Sequence, residues 1–464
     1  MNETKRDQGG LDAPGGGTSA EPIGTGAQQA QGLEASGEQA PTEGSPGDGK
    51  SPVAEVVEPT ATGEITGVVE KLVFGGNGLI RHEGKAVMTP LVAPGELVEV
   101  RLVKEHPQWA EAALVEVRQP SAERVEAPCP VFSRCGGCQY QHLNYPFQLE
   151  QKRLILLETL ARVGKLKDLP EVDLLHGEPW GYRNRVQVHL DGARIGFRLQ
   201  ASRRLVPVDA CPIASPALNA AIGALRQMAR EPRFPRFVES VELFSNERET
   251  LLSVLATKGG QRHVAKWFIE WCAERIPGAS QSALVYDGAG CRFQVGHRSF
   301  FQTNRFLVDA LVERVLRRVS AQAALDLYSG VGLFAIPLAR RGARVTAVES
   351  SASAIRDLET NAANHGARVD AVRASVDAFL PGQATIAPHV FADPPRAGLG
   401  KMVVQDLVRL KPARITLVSC DPATLARDLS ALGAGGYRVE ALTLVDLFPQ
   451  TAHIETVCDL ALQG

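Results

Sequence analysis

The chain has 464 residues, 44% of them hydrophobic, which suits about three domains with ordinary globular cores. Its formal net charge of −2 hides an asymmetry: residues 1–58 carry three Lys/Arg against ten Asp/Glu, and the rest carries 47 against 42. The folded part is therefore mildly basic and compatible with a polyanionic partner. No apolar run is long enough to span a bilayer, and MNETKRDQGG has no signal-peptide core, so a cytoplasmic protein without membrane contact is expected. Eight cysteines in no dense framework exclude a secreted disulfide scaffold and direct attention to metal binding or thiol chemistry.

Residues 1–60 are rich in Gly, Pro, Ala, Glu, Ser and Thr and contain no aromatic residue. Such a segment buries too little apolar area to offset its ordering entropy and is expected to be a disordered tail. Residues 61–119 consist of short β-rich runs separated by turn signals such as GGNG at 75–78 and APGE at 93–96, the pattern of a small OB-like β-barrel. Arg81, His82, Lys85, Arg101, Lys104 and Arg118 are candidates for a basic face on it.

Next, Cys129, Cys135 and Cys138 are spaced C-x5-C-x2-C, and Cys211 stands further on in DACPIASP. Gly136 and Gly137 let the backbone wrap tightly, and prolines follow the first and last cysteine. Four thiolates suit Zn²⁺ or an iron–sulfur cluster. Zinc ribbons use paired C-x2-C units and only one is present here, which favours a structural [4Fe-4S] cluster over zinc.

Residues 146–176 look helical, and 180–190 and 194–199 alternate as strands. Tyr182, Arg183, Asn184 and Arg185 bunch groups able to stack on bases and hold phosphates. Residues 217–290 carry no catalytic motif, and Cys272 and Cys291 read as packing residues.

The last third alternates helix and strand. An amphipathic helix at 305–319 precedes AALDLYSGVGLFAIPLARRG, a strand, glycine turn and helix containing Asp326, Tyr328, Gly330 and Gly332. A second strand ends at Glu349, about 20 residues past the turn, where an acid accepts ribose hydroxyls. The turn lacks phosphate-binding chemistry, so S-adenosylmethionine fits better than a nucleotide. Helix 352–365 and strand 369–374 follow, then Asp377. Asp393-Pro394-Pro395-Arg396 closes one more strand. Ile415–Val418 reads as a buried parallel strand ending at Cys420, the position at which open α/β sheets place ligands. Two terminal strands joined by FPQTAH complete the chain, with Glu455 opening the last; a carboxylate there implies pairing or function.

The four-cysteine pattern, SFFQTN, DLYSGVGLF, DPPRAG, SCDPATLARDL and FPQTAHIETV together resemble the uracil-C5 RNA methyltransferases, in the bacterial branch with an amino-terminal TRAM domain and an iron–sulfur cluster. The resemblance covers about residues 60–464. It implies an α/β fold: a TRAM barrel at 61–119, a central α+β iron–sulfur and RNA-binding domain at 120–295, and a Rossmann-like class I methyltransferase domain at 296–464. It implies Cys129, Cys135, Cys138 and Cys211 as cluster ligands. Gln302, Tyr328, Glu349, Asp377 and Asp393 become contacts for S-adenosylmethionine, Cys420 the nucleophile and Glu455 the general base. Leu333 departs from a polar residue of some members, so no contact is assigned there. The implied partner is RNA, 23S ribosomal RNA ahead of tRNA because the tRNA-acting branch usually lacks barrel and cluster, and a monomer is expected.

The chemistry needs these residue types. Carbon 5 of uracil is a poor nucleophile until a thiolate adds at carbon 6, and the carbon-5 proton must afterwards leave to a base. The uridine must also leave its stack, supported by Pro394, Phe448 or Tyr182. Two other readings compete: cytosine-C5 methylation, for which the Asp-Pro-Pro loop offers no second cysteine, and a non-catalytic ribosome-assembly protein, against which an intact Cys420 and Glu455 count.

Overall fold

Five strands from the amino-terminal half wrap into a closed barrel: β1 Glu64–Leu72, β2 Asn77–His82, β3 Lys85–Pro90, β4 Leu97–Glu105 and β5 Trp109–Gln119, in the order β1-β2-β3-β5-β4. The computed structural model describes residues 63–260, 266–280, 282–319 and 322–464. The tail expected over residues 1–60 lies outside them. Alternation sends Val69, Ile80, Val87, Val98 and Val100 inward to a small core, each worth about 1.5–3 kcal/mol when fully buried. Gly78 permits this closure, since a Cβ there would meet Val92 Cγ2 at 2.3 Å. The basic face expected on the barrel is largely neutralised. Arg81 meets Glu70 (3.7 Å), Lys85 meets Glu105 (2.9 Å), Arg101 meets Glu64 (3.0 Å), and Arg118 meets both Glu99 and Glu116. The cross-strand glutamates are the physical reason.

Helix α1, Tyr145–Val163, starts at the Asn144 cap, whose side chain accepts from Phe147 N–H, with Pro146 in the first turn. The helix expected through residue 176 stops at Val163: Gly164 caps it and Lys165 turns to φ 55°. The chain then extends into β6, Val172–Leu175.

A six-stranded sheet follows, ordered β12-β11-β10-β7-β8-β9. It comprises β7 Arg185–Asp191, β8 Arg194–Arg198, β9 Leu205–Pro207, β10 Val238–Ser245, β11 Thr250–Thr257 and β12 Ala279–Ser280. Helices α2, Pro216–Met228, and α3, Lys266–Arg275, belong to the same segment, and a core including Leu218, Leu225, Val241, Phe268 and Trp271 joins helices and sheet. The hairpin β13 Leu284–Gly288 and β14 Cys291–Val295 shares its core with helix α4, Val308–Leu316. Cys272 and Cys291 are buried in these cores, as packing residues should be.

The carboxyl-terminal third alternates β15 Ala323–Leu327, α5 Ala335–Arg340, β16 Arg344–Glu349, α6 Ala352–Asn364, β17 Val369–Arg373, α7 Val376–Phe379, β18 His389–Ala392, α8 Gly400–Leu410, β19 Arg414–Ser419, α9 Pro422–Ala434, β20 Tyr437–Val445 and β21 Glu455–Leu462. The sheet has eight strands, ordered β17-β16-β15-β18-β19-β21-β20-β6. Strand β19 is expected to be a buried strand of a parallel sheet. It is parallel to β18 and antiparallel to β21. Strand β6, far earlier in the chain, adds to the outer edge, parallel to β20. Wholly buried Lys152 on α1 reaches Asp446, just past β20, at 2.7 Å. Among the described residues no helix is long and apolar enough to cross a membrane.

Candidate active site

Seven strands of the eight-stranded sheet run the same way and end along one edge, and one antiparallel strand, β21, begins there. The register that sets Ser419 opposite Thr456 carries Cys420, one step past β19, towards Glu455, which opens β21. A purely parallel sheet would send the strand after β19 away from this edge. The antiparallel last strand is what brings thiol and carboxylate together. Asp421 then caps α9, accepting from the backbone N–H groups of Ala423 and Thr424 at 2.9 Å each, which fixes the loop carrying Cys420.

The charges of this group act on one another. Burial pushes the Cys420 thiol up to about 11, helped by the negative charges of Glu455 and Asp393 and opposed by Arg396. Glu455 is buried, and burial first, Asp393 second, hold its carboxyl well above the usual carboxylate range, with Arg396 again opposing. Burial raises Asp393 to about 7. Arg396 acts on both the thiol and Glu455 and was assigned no role from the sequence; its place in DPPR, three residues from Asp393, was the available signal.

The glycine turn lies beside this group. Tyr328 adopts φ 61° and Gly332 φ 91°. A Cβ on Gly332 would meet Leu358 Cδ1 at 2.5 Å, so only glycine fits. Glu349 holds the turn: its Oε2 accepts from Gly330 N–H at 3.0 Å and its Oε1 from Ser351 N–H at 2.6 Å. Burial, then Asp377, push the Tyr328 hydroxyl up to about 12, so exposed Asp377 also faces this turn. Gln302 is buried, and its backbone oxygen accepts from Asn184 Nδ2 at 2.9 Å. Asp326 was not assigned a role. It is buried under the turn; burial, then Asp393, raise it to about 8, with the backbone N–H of Ala335 acting the other way.

Of the three residues expected to support an extruded base, Tyr182 and Pro394 are buried. Tyr182 is wholly enclosed and donates its hydroxyl to Pro449 O at 3.0 Å, so it is a core residue and not a stacking platform. Its neighbour Asn184 is also buried, donating to Gln302 O and Tyr286 Oη. Half-buried Phe448 remains, with Arg183 over its ring at 5.8 Å and His453 edge-on at 5.5 Å.

Cys129, Cys135, Cys138 and Cys211, all unbridged, line one cavity of about 600 Å³. Gly137 N–H points to Cys135 Sγ at 3.4 Å. Burial pushes the Cys138 thiol up to about 12 and raises Cys135 and Cys211. Charge also couples the set: Cys129 acts on Cys135, and Cys211 on Cys138. Among the described residues no three His, Cys, Asp or Glu side chains are grouped closely enough to hold a single metal ion.

Comparison with known proteins agrees with the geometry. The family model described as tRNA (Uracil-5-)-methyltransferase matches residues 281–462. An RNA methyltransferase of Aquifex aeolicus is 35% identical over 424 residues, covering 85% of this chain and 98% of the relative. The 23S rRNA (uracil(1939)-C(5))-methyltransferase RlmD of Pectobacterium atrosepticum is 32% identical, covering 82% and 90%. The crystal structure of Pyrococcus abyssi tRNA (uracil-54, C5)-methyltransferase with S-adenosyl-L-homocysteine superposes with a TM-score of 0.70 at 28% identity, covering 85% of this chain and 99% of that one. The carboxyl-terminal sheet has the class I S-adenosylmethionine-dependent methyltransferase fold, and the chain belongs to the RNA uracil-C5 methyltransferase family.

Proposed function

We propose that the protein methylates carbon 5 of a specific uridine in RNA, 23S ribosomal RNA ahead of others, with Cys420 as nucleophile and Glu455 as general base. The observation that carries this reading is the register of β19 against β21, which gathers a thiol and a buried carboxylate at the edge that also bears the glycine turn. Cys420, as thiolate, adds to carbon 6 of the ring and raises electron density at carbon 5. S-adenosylmethionine, when bound, supplies the electrophilic methyl group. Glu455 then takes the carbon-5 proton while the bond between carbon 6 and sulfur breaks, returning its electron pair to Cys420. A carboxyl held above its usual range is a stronger base for that proton. Gln302, Tyr328, Glu349, Asp377 and Asp393 are the proposed cofactor contacts. Glu349 keeps the glycine turn open for adenosine, and the raised carboxyls of Asp393 and Asp326 suit a sulfonium cation. Phe448 is the proposed surface under the extruded base.

The barrel at 61–119 is proposed as a TRAM module, followed by a central iron–sulfur and RNA-binding segment at 120–295 and the methyltransferase segment at 296–464. Cys129, Cys135, Cys138 and Cys211 are proposed to hold a [4Fe-4S] cluster. Thiols that ring one cavity without converging on a point suit a cluster, in which each cysteine takes a different iron, better than a single zinc ion. Iron and sulfide content, with absorbance near the sulfur-to-iron charge-transfer bands, tests it; loss in Cys138→Ala is expected.

For catalysis, Cys420→Ala is expected to abolish methylation and the covalent trapping of 5-fluorouridine RNA. Glu455→Gln is expected to stall after methyl transfer and leave a denaturation-resistant RNA adduct; normal turnover by that variant would place the base elsewhere. Relatives named for 23S rRNA support the ribosomal target. The solved tRNA-acting relative, spanning 85% of the chain, favours tRNA as the second reading. Mass-spectrometric mapping of 5-methyluridine with and without the gene separates the two.

A further inference from the structure

We infer that the β7–β8–β9 end of the central sheet is the docking surface for the phosphodiester backbone of the RNA, in a depression edged by Arg198, Arg203, Arg204 and Lys258. The inference rests on the RNA-directed activity proposed above and adds where the strand is held. The depression measures about 640 Å³ and is bounded by these four cations and Arg194, against two carboxylates, Asp191 and Glu239. Arg194 is spent on Asp191. The other four cations are exposed, and no carboxylate of a described residue lies within 4 Å of their charged groups. His189, at the depression's wall, is pulled below its ordinary range by burial and by Arg198.

The contrast with the barrel gives this its weight. Four of the barrel's cations are answered by glutamates of the same barrel, so they release no counterions to an incoming polyanion. Four clustered cations without internal partners repel one another, and a polyanion relieves that repulsion while releasing condensed counterions. The cations are also held in place. Strands β8 and β9 pair Arg198 with Leu205, and the intervening turn closes through Leu199 N–H to Arg204 O at 2.9 Å and Arg204 N–H to Ser202 Oγ at 3.1 Å. The surface leads towards the catalytic edge. Arg198 and His189 also line the four-cysteine cavity, whose wall includes Arg183, and Arg183 lies over the Phe448 ring.

The test is the salt dependence of filter binding to an unmodified 23S rRNA transcript, using the full chain. Each phosphate contact to a single strand contributes about 0.7 to the slope of log affinity against log salt. The variant R203Q/R204Q/K258Q is expected to lose about 2 from that slope and to bind at least about tenfold more weakly. All three positions are exposed, and an unchanged circular-dichroism melt verifies the fold. The barrel variant R81Q/R101Q is expected to keep the wild-type slope. An unchanged slope in the triple variant overturns the inference and turns the depression over to an acidic protein partner; a slope lost only in the barrel variant overturns it as well. Wild-type protein is assayed in parallel for methyl transfer to the same transcript. Binding with the predicted slope change but no methyl transfer would strike the proposed activity and leave the docking surface standing.

Discussion

Lys152 and Asp446 meet at 2.7 Å with neither side chain exposed to solvent. The ammonium also donates to Phe448 O at 3.0 Å, so one buried cation fastens α1 to the loop that leads into Glu455. Burial works against the ammonium, and the carboxylate supports it. Removing only the lysine would strand a carboxylate in the core. Lys152→Met is predicted to destabilise the protein by about 3–5 kcal/mol in urea denaturation, and Lys152→Met/Asp446→Leu to recover most of that loss. An unchanged midpoint for the single variant would show that the pair contributes nothing.

The thiol of Cys420 lies near 11 because of burial first and the neighbouring Glu455 and Asp393 second. Below that value the thiolate fraction grows with pH. Iodoacetamide labelling of the Cys420 peptide, followed by mass spectrometry, is therefore predicted to accelerate by about tenfold per pH unit from 7 towards 10. Asp393→Asn removes a negative neighbour and is predicted to speed labelling at pH 8, whereas Arg396→Gln is predicted to slow it. A plateau below pH 9 in the unmodified protein would contradict the assigned environment.

Asp393 near 7 and Asp326 near 8 are each raised by burial. In the free protein both are therefore partly protonated at neutral pH. A sulfonium cation favours their ionised forms, so its binding should expel protons. The affinity for S-adenosylmethionine is predicted to rise with pH through the 7–8 window, by up to about tenfold per unit for each proton expelled, and to level off above it. Calorimetry in buffers of different ionisation enthalpy would count the protons. S-adenosylhomocysteine, whose sulfur is neutral, should release fewer; equal release by both would remove the carboxyls from the sulfur's vicinity.

Tyr182 shares its hydroxyl with Pro449 O inside the core. Tyr182→Phe is predicted to lower stability by about 1–2 kcal/mol, because it leaves a buried carbonyl unanswered. RNA binding should not change. A variant that melted normally but bound RNA poorly would return Tyr182 to the substrate face.

The strand-end residues were legible because each follows a short apolar run, and in an alternating α/β chain the end of such a run is the ligand edge. Glu455 could be singled out as a carboxylate opening an apolar strand, although the antiparallel register that takes it to Cys420 is a property of the whole sheet. Local reading failed where a distant partner decides. Tyr182 in an Arg- and Asn-rich stretch resembles surface until the 446–453 loop closes over it. The barrel arginines look available until Glu64, Glu70 and Glu99 arrive from neighbouring strands and Glu116 from Arg118's own strand. The helix after Tyr145 ends at Gly164, a glycine stop signal that the sequence itself carries. Val172–Leu175 is too short to announce itself as a strand without β20 beside it.

That last strand has a practical outcome for anyone dividing the protein. A fragment beginning near residue 296 would take β20 without the neighbour it pairs with from Val172 to Leu175, and would strip α1 from the apolar cluster that Ile155, Leu156 and Leu160 share with α9. The exposed edge would invite aggregation. During synthesis the same dependence runs the other way: the early strand waits, unpaired, until the residues of β20 have left the ribosome.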